Sequence, residues 1–289
     1  MNGLVCPIAK MEKLLVATDG SVFSKSAVRE AVNLAKICSG KLYVVSVVKT
    51  NPEFEDLVPR VIEKLEKEAR EHLESVKNKA SREGVDCEII VNRSEEPYQN
   101  IVDEATRNHV NMIIVGTHGR TGLKRLMMGS VTAKVIGHAP CNILVVPLDA
   151  KIECKNILIA TDGSKYSDAA AAEAIGIAKR CAGSLIAISV VYADKEIVLP
   201  EDDEEMISAR DNVKKIVDIA EKEGIKTEGL TVQGKPHEGI VEIAKQKHAD
   251  LIVVGSHGRT GLERLLMGSV TERVIGHSES AVLVVKKPQ

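Results

Sequence analysis

Short apolar runs alternate with longer amphipathic stretches along the chain. In the first half the apolar runs, rich in Val, Ile and Leu, fall at 14–17, 42–48, 88–91, 112–115 and 143–146. They are nearly continuous, without in-out alternation, which is typical of parallel strands buried on both faces. The stretch over 60–83 instead spaces its apolar residues three or four positions apart, which predicts an amphipathic helix. The alternation predicts an α/β domain built on a mostly parallel five-stranded sheet.

The second half of the chain repeats the first. Its apolar runs fall at 157–160, 185–191, 228–232, 251–254 and 281–285. The segment ATDGS at 17–21 recurs at 160–164, and the segments 116–138 and 255–277 differ at only five of 23 positions. Each copy is long enough for a full domain, so we infer a duplicated domain and not a short-period repeat. We expect an N-terminal extension at 1–12, a first domain at 13–148, a linker at 149–156 and a second domain at 157–289.

Composition and charge exclude several classes of protein. Lys and Arg number 39 against 41 Asp and Glu, for a formal net charge of -2, and aromatic residues make up 2% of the chain. This balance argues against a general nucleic-acid binder, and the scarcity of aromatic rings argues against single-strand binding. No apolar stretch approaches the roughly 20 residues that a membrane-spanning helix needs. The first residues do not resemble a secretory signal, so we expect a cytoplasmic protein that binds neither nucleic acid nor membrane.

The most similar segments of the two copies follow strands of the predicted sheet. Thr18-Asp19-Gly20-Ser21 comes directly after the first strand, and Gly116-Thr117-His118-Gly119 follows the fourth. In a parallel α/β sheet, ligands bind beyond the carboxyl ends of the strands, at the point where the strand order reverses. We therefore expect both segments to contribute to one site in each copy.

A glycine loop completes the predicted site. It reads G-x-x-G, nine residues, then G-S, with Gly116, Gly119, Gly129 and Ser130 in the first copy. We expect the first two glycines where the backbone approaches a ligand or takes a positive φ. The segment 129–132 opens a helix, where free backbone N–H groups, the helix dipole and two hydroxyls are expected to face outward as an anion site. The pattern is neither a P-loop with its lysine nor a dinucleotide-binding G-x-G-x-x-G.

ATDGS together with this glycine loop resembles the ATP-binding branch of the universal stress protein family. The resemblance covers the chain from about Lys13 to Lys286, as two tandem copies. It implies an adenine nucleotide alpha hydrolase-like fold in each copy, with five parallel strands in the order 3-2-1-4-5 between two helical layers. It also implies binding of ATP, or of ADP or AMP, with Mg²⁺ or Mn²⁺ carried on the phosphates, pairing through the fifth strands, and a role in stress signalling.

The resemblance also implies which residues bind the nucleotide. The Ala-Thr-Asp segments are expected at the adenine end, the backbone late in each second strand is expected to read the adenine edge, and the glycine loop is expected to hold ribose and phosphates. In the first copy the implied residues are Ala17, Thr18, Asp19, Val47, Gly116, Gly119, Gly129, Ser130, Val131 and Thr132. In the second copy they are Ala160, Thr161, Asp162, Val190, Gly255, Gly258, Gly268, Ser269, Val270 and Thr271. No catalytic residue and no metal ligand from the protein is expected.

Charged and polar residues in the glycine loop leave alternatives open. Arg120 and Arg259 either reach the terminal phosphate or remain solvated loop residues, and we include them among the nucleotide-binding residues. His118 and His257 are too few for a zinc site, since each loop has one histidine and no nearby carboxylate, so a loop-shaping role is favoured.

Three functional classes remain open. The first is an ATP-binding stress-response regulator with two nucleotide sites, whose ligand alters its contact with an unidentified protein partner. The second is a slow ATPase that uses the same sites, and the third is a scaffold that keeps only the fold. No residue of either motif is placed to orient an attacking water, apart from the two aspartates at the far end, so binding with slow or no hydrolysis is favoured. We also expect the two fifth strands to pair edge to edge about a pseudo-twofold axis; homodimerisation of whole chains is left open.

Overall fold

The computed structural model describes residues 11–119, 128–194, 198–259 and 267–286. The first half contains β1 (Lys13–Ala17), α1 (Lys25–Cys38), β2 (Lys41–Lys49), α2 (Pro52–Leu57), α3 (Pro59–Arg82), β3 (Cys87–Ser94), α4 (Pro97–Arg107), β4 (Met112–Gly116), α5 (Ser130–His138) and β5 (Asn142–Val146). The second half contains β6 (Asn156–Ala160), α6 (Lys165–Cys181), β7 (Ser184–Val191), α7 (Glu204–Lys222), β8 (Thr227–Gln233), α8 (Pro236–Gln246), β9 (Leu251–Gly255), α9 (Ser269–His277) and β10 (Ala281–Val285). The predicted alternation of strands and helices is confirmed.

The strands of the described residues form one sheet of ten. Its order is β3-β2-β1-β4-β5-β10-β9-β6-β7-β8, so each half has the predicted order 3-2-1-4-5. Within each half the paired strands run parallel. The halves meet where β5 and β10 pair antiparallel, with Leu144 opposite Leu283. The predicted edge-to-edge pairing of the fifth strands is observed, and it covers two apolar edges that would otherwise invite aggregation.

Alternate residues of each central strand feed two aliphatic cores, one on each face of the sheet. Leu14 and Val16 of β1 belong to the core under α1, α3, α6 and α7, whereas Leu15 belongs to the core under α4, α5, α8 and α9. All three side chains are fully buried. Burial on both faces is why the strands lack in-out alternation, and both cores continue from one half into the other.

The segment between β5 and β6 is held by polar contacts to both halves. On the α1 side, Ser26 Oγ accepts from the Asp149 amide at 3.0 Å, and Glu30 Oε2 accepts from the Ile152 amide at 3.3 Å. On the other side, the carboxylate of Asp250 accepts from four successive amides, those of residues 153–156, at 2.6 to 3.2 Å. This carboxylate fixes the backbone that leads into β6.

Candidate functional site

Each half has a cavity at the carboxyl ends of its strands. The cavity of the first half has a volume of about 400 Å³, and that of the second half about 460 Å³. Both lie within the range that small-molecule sites occupy, roughly 300 to 1,000 Å³. Each is bounded by the ends of the first, second and fourth strands of its half and by the start of the helix that follows the glycine loop. Helices α3 and α4 complete the lining in the first half, and α7 and α8 complete it in the second.

Almost all of the residues predicted for the nucleotide site line these cavities. The first cavity is lined by Ala17, Thr18, Asp19, Val47, Gly116, Gly119, Gly129, Ser130, Val131 and Thr132. The second is lined by Ala160, Thr161, Asp162, Val190, Gly255, Gly258, Arg259, Gly268, Ser269, Val270 and Thr271. Arg120 lies outside the described residues. The fold thus brings segments up to about a hundred residues apart in the chain to one place in each half.

The Thr-Asp turn after the first strand is held by its own hydrogen bonds. The Thr18 amide donates to Val45 O at 2.9 Å, and Thr18 Oγ1 lies 2.9 Å from Ser24 Oγ. Thr18 Oγ1 also accepts from the Gly20 amide at 3.2 Å, and Asp19 Oδ1 accepts from the Ser21 amide at 3.0 Å. This is an Asx turn supported by a buried threonine, so Thr18 shapes the turn from the inside.

The second half repeats this turn with equivalent residues. The Thr161 amide donates to Ile188 O at 2.9 Å, and Asp162 Oδ1 accepts from the Ser164 amide at 3.0 Å. The second carboxylate oxygen, Asp162 Oδ2, accepts from the Arg259 amide at 2.8 Å. A Cβ added at Gly258 would lie only 2.7 Å from the same oxygen. Glycine is needed there because the aspartate carboxylate packs directly against the glycine loop.

Glycine is needed at the ends of β4 and β9 because the backbone packs closely there, and not because of a positive φ. Gly116 and Gly255 do not adopt a positive φ. A Cβ at Gly116 would lie 2.8 Å from Phe23 O, and one at Gly255 would lie 2.8 Å from the Tyr166 backbone carbon. Of the two predicted reasons, a positive φ does not apply at these positions, where the strand end packs closely on the protein's own backbone, and the close approach of a ligand stays a prediction.

Both helices that follow the glycine loop begin without a side-chain cap. Their N-cap residues are Gly129 and Gly268, which have no side chain to offer. Among the other helices of the described residues, α2, α6 and α7 have side-chain caps from Asn51, Ser164 and Asp203, whereas α1, α3, α4 and α8 have none. The first amides of a helix have no intrahelical partner, and the dipole adds partial positive charge there. These two helix starts can therefore accept an anion from the cavity.

One part of the predicted anion site is wrong. Two hydroxyls were expected to face outward at each helix start, but Thr132 Oγ1 donates to Gly116 O at 3.0 Å and Thr271 Oγ1 donates to Gly255 O at 2.8 Å. Both threonines are buried. Their hydroxyls tie the helix to the preceding strand, because a buried hydroxyl needs a partner. Ser130 and Ser269 are exposed and remain available.

The Arg259 side chain is exposed and makes a contact within the protein that was not predicted from the sequence. Its Nε donates to the Asp162 carbonyl oxygen at 2.5 Å, while its amide binds the Asp162 carboxylate. The guanidinium therefore lies across the Thr-Asp turn at the cavity wall. Arg259 clamps the glycine loop onto the turn.

The two loop histidines pack on aromatic rings. The His118 ring centroid lies 5.9 Å from that of Phe23, and the His257 ring lies 5.2 Å from that of Tyr166. His118 Nε2 is buried without a hydrogen-bond partner among the described residues, whereas His257 Nδ1 lies 3.2 Å from Ser256 Oγ. No group of three or more His, Cys, Asp or Glu side chains suited to a metal ion occurs in the described ranges.

Several cavity residues were missed from the sequence. They are Ser46, Lys49, Leu65, Ala69, Pro97 and Ile101 in the first half, and Ser189, Tyr192, Glu205, Ala209, Pro236 and Ile240 in the second. Ser46 and Ser189 carried a usable signal, since both are polar positions at the same place in otherwise apolar runs. The helix positions Leu65 and Glu205 carried none, because the two copies differ there.

Comparison with known proteins identifies the family. The model of the universal stress protein family matches residues 10–147 and again 153–286, so the chain belongs to this family as a tandem member. Universal stress protein MJ0531 of Methanocaldococcus jannaschii is 46% identical over 142 residues, which cover 47% of this chain and 84% of that protein. A universal stress protein of Mycolicibacterium smegmatis is 27% identical over 290 residues, which cover 94% of this chain and 96% of its own length.

A solved structure has the same arrangement over the full length. The crystal structure of a universal stress protein from Archaeoglobus fulgidus superposes with a TM-score of 0.76 over 98% of this chain and 99% of that chain, at 21% identity. This similarity shows the fold. Among the helices of the described segments, none has the length and apolarity to cross a membrane.

Proposed function

We propose that this protein binds two adenine nucleotides, one in each half, and acts as a stress-response regulator whose ligand changes its contact with a protein partner. The observation that carries the proposal is the pair of uncapped helix starts at Gly129 and Gly268, each opening into a cavity of nucleotide size. Anions bind at such helix starts through free amides and the dipole. The ligand is ATP, ADP or AMP, with Mg²⁺ or Mn²⁺ on the phosphates.

The shape of each cavity supports one orientation of the ligand. The phosphates belong at the helix start, where Ser130 adds an exposed hydroxyl in the first half and Ser269 in the second. The base then points toward the end of the second strand, beside Val47 or Val190, where the lining is largely aliphatic. Each charge-assisted hydrogen bond at the phosphates is worth roughly 1.5 to 3 kcal/mol, so two or three can hold a polyphosphate without a lysine.

Calorimetric titration of the full chain tests the proposal. We expect ATP with Mg²⁺ to bind two sites per chain, ADP and AMP to bind more weakly as phosphates are lost, and GTP to bind more weakly than ATP. At a hundredfold excess over Kd, each independent site should add roughly 2.7 kcal/mol to the free energy of unfolding. Inorganic tripolyphosphate separates recognition of the base from binding of an anion alone.

Variants in one half at a time test whether the phosphates bind at the two helix starts. In Gly129→Asp the new carboxylate would cap the helix amides itself and repel phosphate, so one site should be lost while the other titrates normally. Gly268→Asp should remove the other site. The φ of both glycines, -62° and -68°, suits any residue, so the variants should fold. Gly129→Ala and Gly268→Ala are the matched controls and should retain binding.

Two outcomes decide the proposal and its alternative. Binding of ATP to the double aspartate variant with unchanged affinity would refute the phosphate assignment. A phosphate-release assay on the same sample then separates a binding module from a slow ATPase. Release that disappears in the double aspartate variant would favour the ATPase.

A further inference from the structure

Two thiols face each other in the second half, and neither belongs to the residues that line the cavity of that half. Cys154 is in the segment that leads into β6, and Cys181 is the last residue of α6. Both pack in the same aliphatic core, and the two thiols are hydrogen-bonding partners. Both are free thiols, Cys154 buried and Cys181 half-buried.

The backbone around Cys154 is held against the end of α6. The Cys154 amide donates to Asp250 Oδ1 at 2.6 Å, and Lys155 O accepts from the Ser184 amide at 2.8 Å. Gly183 follows the helix end, and a Cβ added there would overlap Cys154 O. These contacts keep the two cysteines adjacent, and a disulfide forms only between residues whose backbones are already close.

The first half shows what the same place looks like with a methionine in the position of Cys154. Met11 and Cys38 are the equivalents of Cys154 and Cys181, and Cys38 Sγ lies 3.6 Å from Met11 Sδ. Cys38 is itself disulfide-bonded, so the end of this helix accommodates a disulfide. A methionine cannot form one. Among the described residues, two free thiols that face each other therefore occur at this place in the second half.

The environment makes the two thiols unequal. The hydrogen bond with Cys154 lowers the pKa of Cys181, and so does the nearby charge of Arg180, against the opposing effects of burial and of Asp250. The hydrogen bond with Cys181 and burial both raise the pKa of Cys154. A peroxide reaches the half-buried Cys181 more readily than the buried Cys154, so Cys181 is the nucleophile and Cys154 is the resolving thiol.

We propose that Cys154 and Cys181 are a redox modification site, which a hydroperoxide converts into a disulfide. The Cys181 thiolate attacks the terminal peroxide oxygen, the O–O bond breaks, and protonation of the leaving oxygen gives an alcohol, or water from hydrogen peroxide. This leaves a sulfenic acid on Cys181. The Cys154 sulfur then attacks Cys181 Sγ, the S–O bond breaks, and water leaves with the Cys154 proton. In total two thiols are oxidised and one peroxide is reduced.

The disulfide would close a loop that contains the Thr-Asp turn of the second half. β6 ends at Ala160 and α6 begins at Lys165, so residues 161–164 lie inside the loop. A crosslink of this kind restricts the unfolded chain and resists opening of the strand-helix unit. The modification therefore stabilises one half and leaves the other unchanged.

Mass spectrometry of the full chain after brief hydrogen peroxide treatment tests the proposal. We expect the loss of two hydrogen atoms, a crosslinked peptide pair containing Cys154 and Cys181, full reversal by dithiothreitol, and a higher Tm for the oxidised form. In Cys154→Met, which copies the first half, a sulfenic acid on Cys181 should accumulate and be trapped by dimedone. Cys181→Ser should show neither product. Cys154→Ala is a second variant should the methionine disturb folding.

Cys87 and Cys141 provide the internal control. Both are free thiols whose pKa burial raises, to about 11 and about 12, so they should react far more slowly. The proposal is overturned if the wild-type chain gives no crosslinked pair, or if Cys181 is modified no faster than Cys87 and Cys141.

Discussion

The two cavities share their framework but differ in the charges that face a ligand. Both have the same Thr-Asp turn, the same glycine at the helix start and the same inward threonine. In the cavity lining, Leu65 in the first half stands where Glu205 stands in the second. In the first turn of the helix that follows the glycine loop, Ala133 of α5 stands where Glu272 of α9 stands.

This comparison separates the residues that hold the shape of the cavity from those that set the charge around it. The shared aspartates and threonines make hydrogen bonds within the protein, whereas the differing residues line the cavity or lie in the first turn of the helix that starts beside it. Lys49 of the first cavity is also replaced, by Tyr192 in the second. The lining of the second cavity therefore has one more carboxylate, that of Glu205, and one ammonium group fewer, and the helix that starts beside it adds the carboxylate of Glu272. We expect it to bind the more highly charged nucleotides more weakly than the first.

The largest expected difference between the halves concerns the support of the first strand. The Asp250 carboxylate accepts from four amides before β6, whereas its equivalent Asn111 accepts from two before β1, at 2.9 and 2.8 Å. Hydrogen bonds to a charged group contribute roughly 1.5 to 3 kcal/mol each, less where water can replace them. Asp250→Ala should lower the free energy of unfolding by about 2 to 4 kcal/mol, and Asn111→Ala by about 1 kcal/mol, in urea titrations.

Asp250→Asn is the matched control, because it gives the second half the residue of the first. One amide oxygen can replace only part of the carboxylate, so the loss should fall between those of the two alanine variants. Equal losses for Asp250→Ala and Asn111→Ala would contradict this account of the segment that leads into β6.

The next largest effect, the loss of stability when a strand-end glycine is replaced, should be similar in both halves. A Cβ at Gly116 would press on Phe23 O, and a Cβ at Gly255 would press on three atoms of Tyr166 at 2.8 to 2.9 Å. Overpacking of this kind costs about 1 to 3 kcal/mol. Gly116→Ala and Gly255→Ala should each lower stability by that amount, as measured by urea unfolding. An alanine tolerated in one half alone would show that the strand ends are not packed equivalently.

Substitutions that exchange the cavity charges should have a smaller effect, and on binding alone. A carboxylate in the first turn of a helix opposes an anion at the same amides. Glu272→Ala should tighten ATP binding in the second half by about two- to fivefold, and Ala133→Glu should weaken it in the first by a similar factor. Calorimetry in the Gly129→Asp or Gly268→Asp background isolates one site. The difference should shrink at high salt, and a salt-independent difference would contradict the electrostatic explanation.

The smallest expected effect is a pH dependence confined to the second half. His237 stands where the first half has Tyr98. Burial lowers the pKa of His237 below its usual 6.5, as do Arg273, His277 and Lys235, against an opposing contribution from Glu238. The unfolded chain therefore takes up the proton first, so this contribution to stability is complete above pH 6.5 and declines as the pH falls below it.

The measurement is the slope of stability against pH. In the wild-type chain, urea unfolding should show stability falling between pH 7 and the lower pKa of the folded state. His237→Tyr, which copies the first half, should reduce that slope. An unchanged slope would assign the dependence to other groups.

The parts of the fold that the sequence predicts are those in which one pattern has one structural solution. Continuous Val and Ile runs such as 143–146 and 281–285 can only be buried strands, and a duplicated domain leaves two apolar edges that can cover each other. The helix over 60–83 was predicted from Ile62, Leu73 and Ala80, which are buried as expected.

The details of the site depend on contacts that no local pattern specifies. Nothing in the sequence distinguishes the inward Thr132 hydroxyl from the exposed Ser130, two residues away on the same helix. Asp250 also reads as an ordinary turn residue, because its four amide partners lie about a hundred positions earlier in the chain. The repeat in the sequence pointed to cavity residues where the two copies agree, as at the glycine loop. It did not point to them where the copies differ, as at Glu205.

The antiparallel pairing of β5 with β10 has a consequence for any protein that binds to this one. Because every strand of one half runs opposite to those of the other, the carboxyl ends of the two sets of strands lie at opposite rims of the shared sheet. The two cavity mouths therefore point away from each other. A single globular protein bound at one rim would contact the surface around one cavity only. A response to the occupancy of both cavities would need two bound proteins, or one long enough to reach both rims.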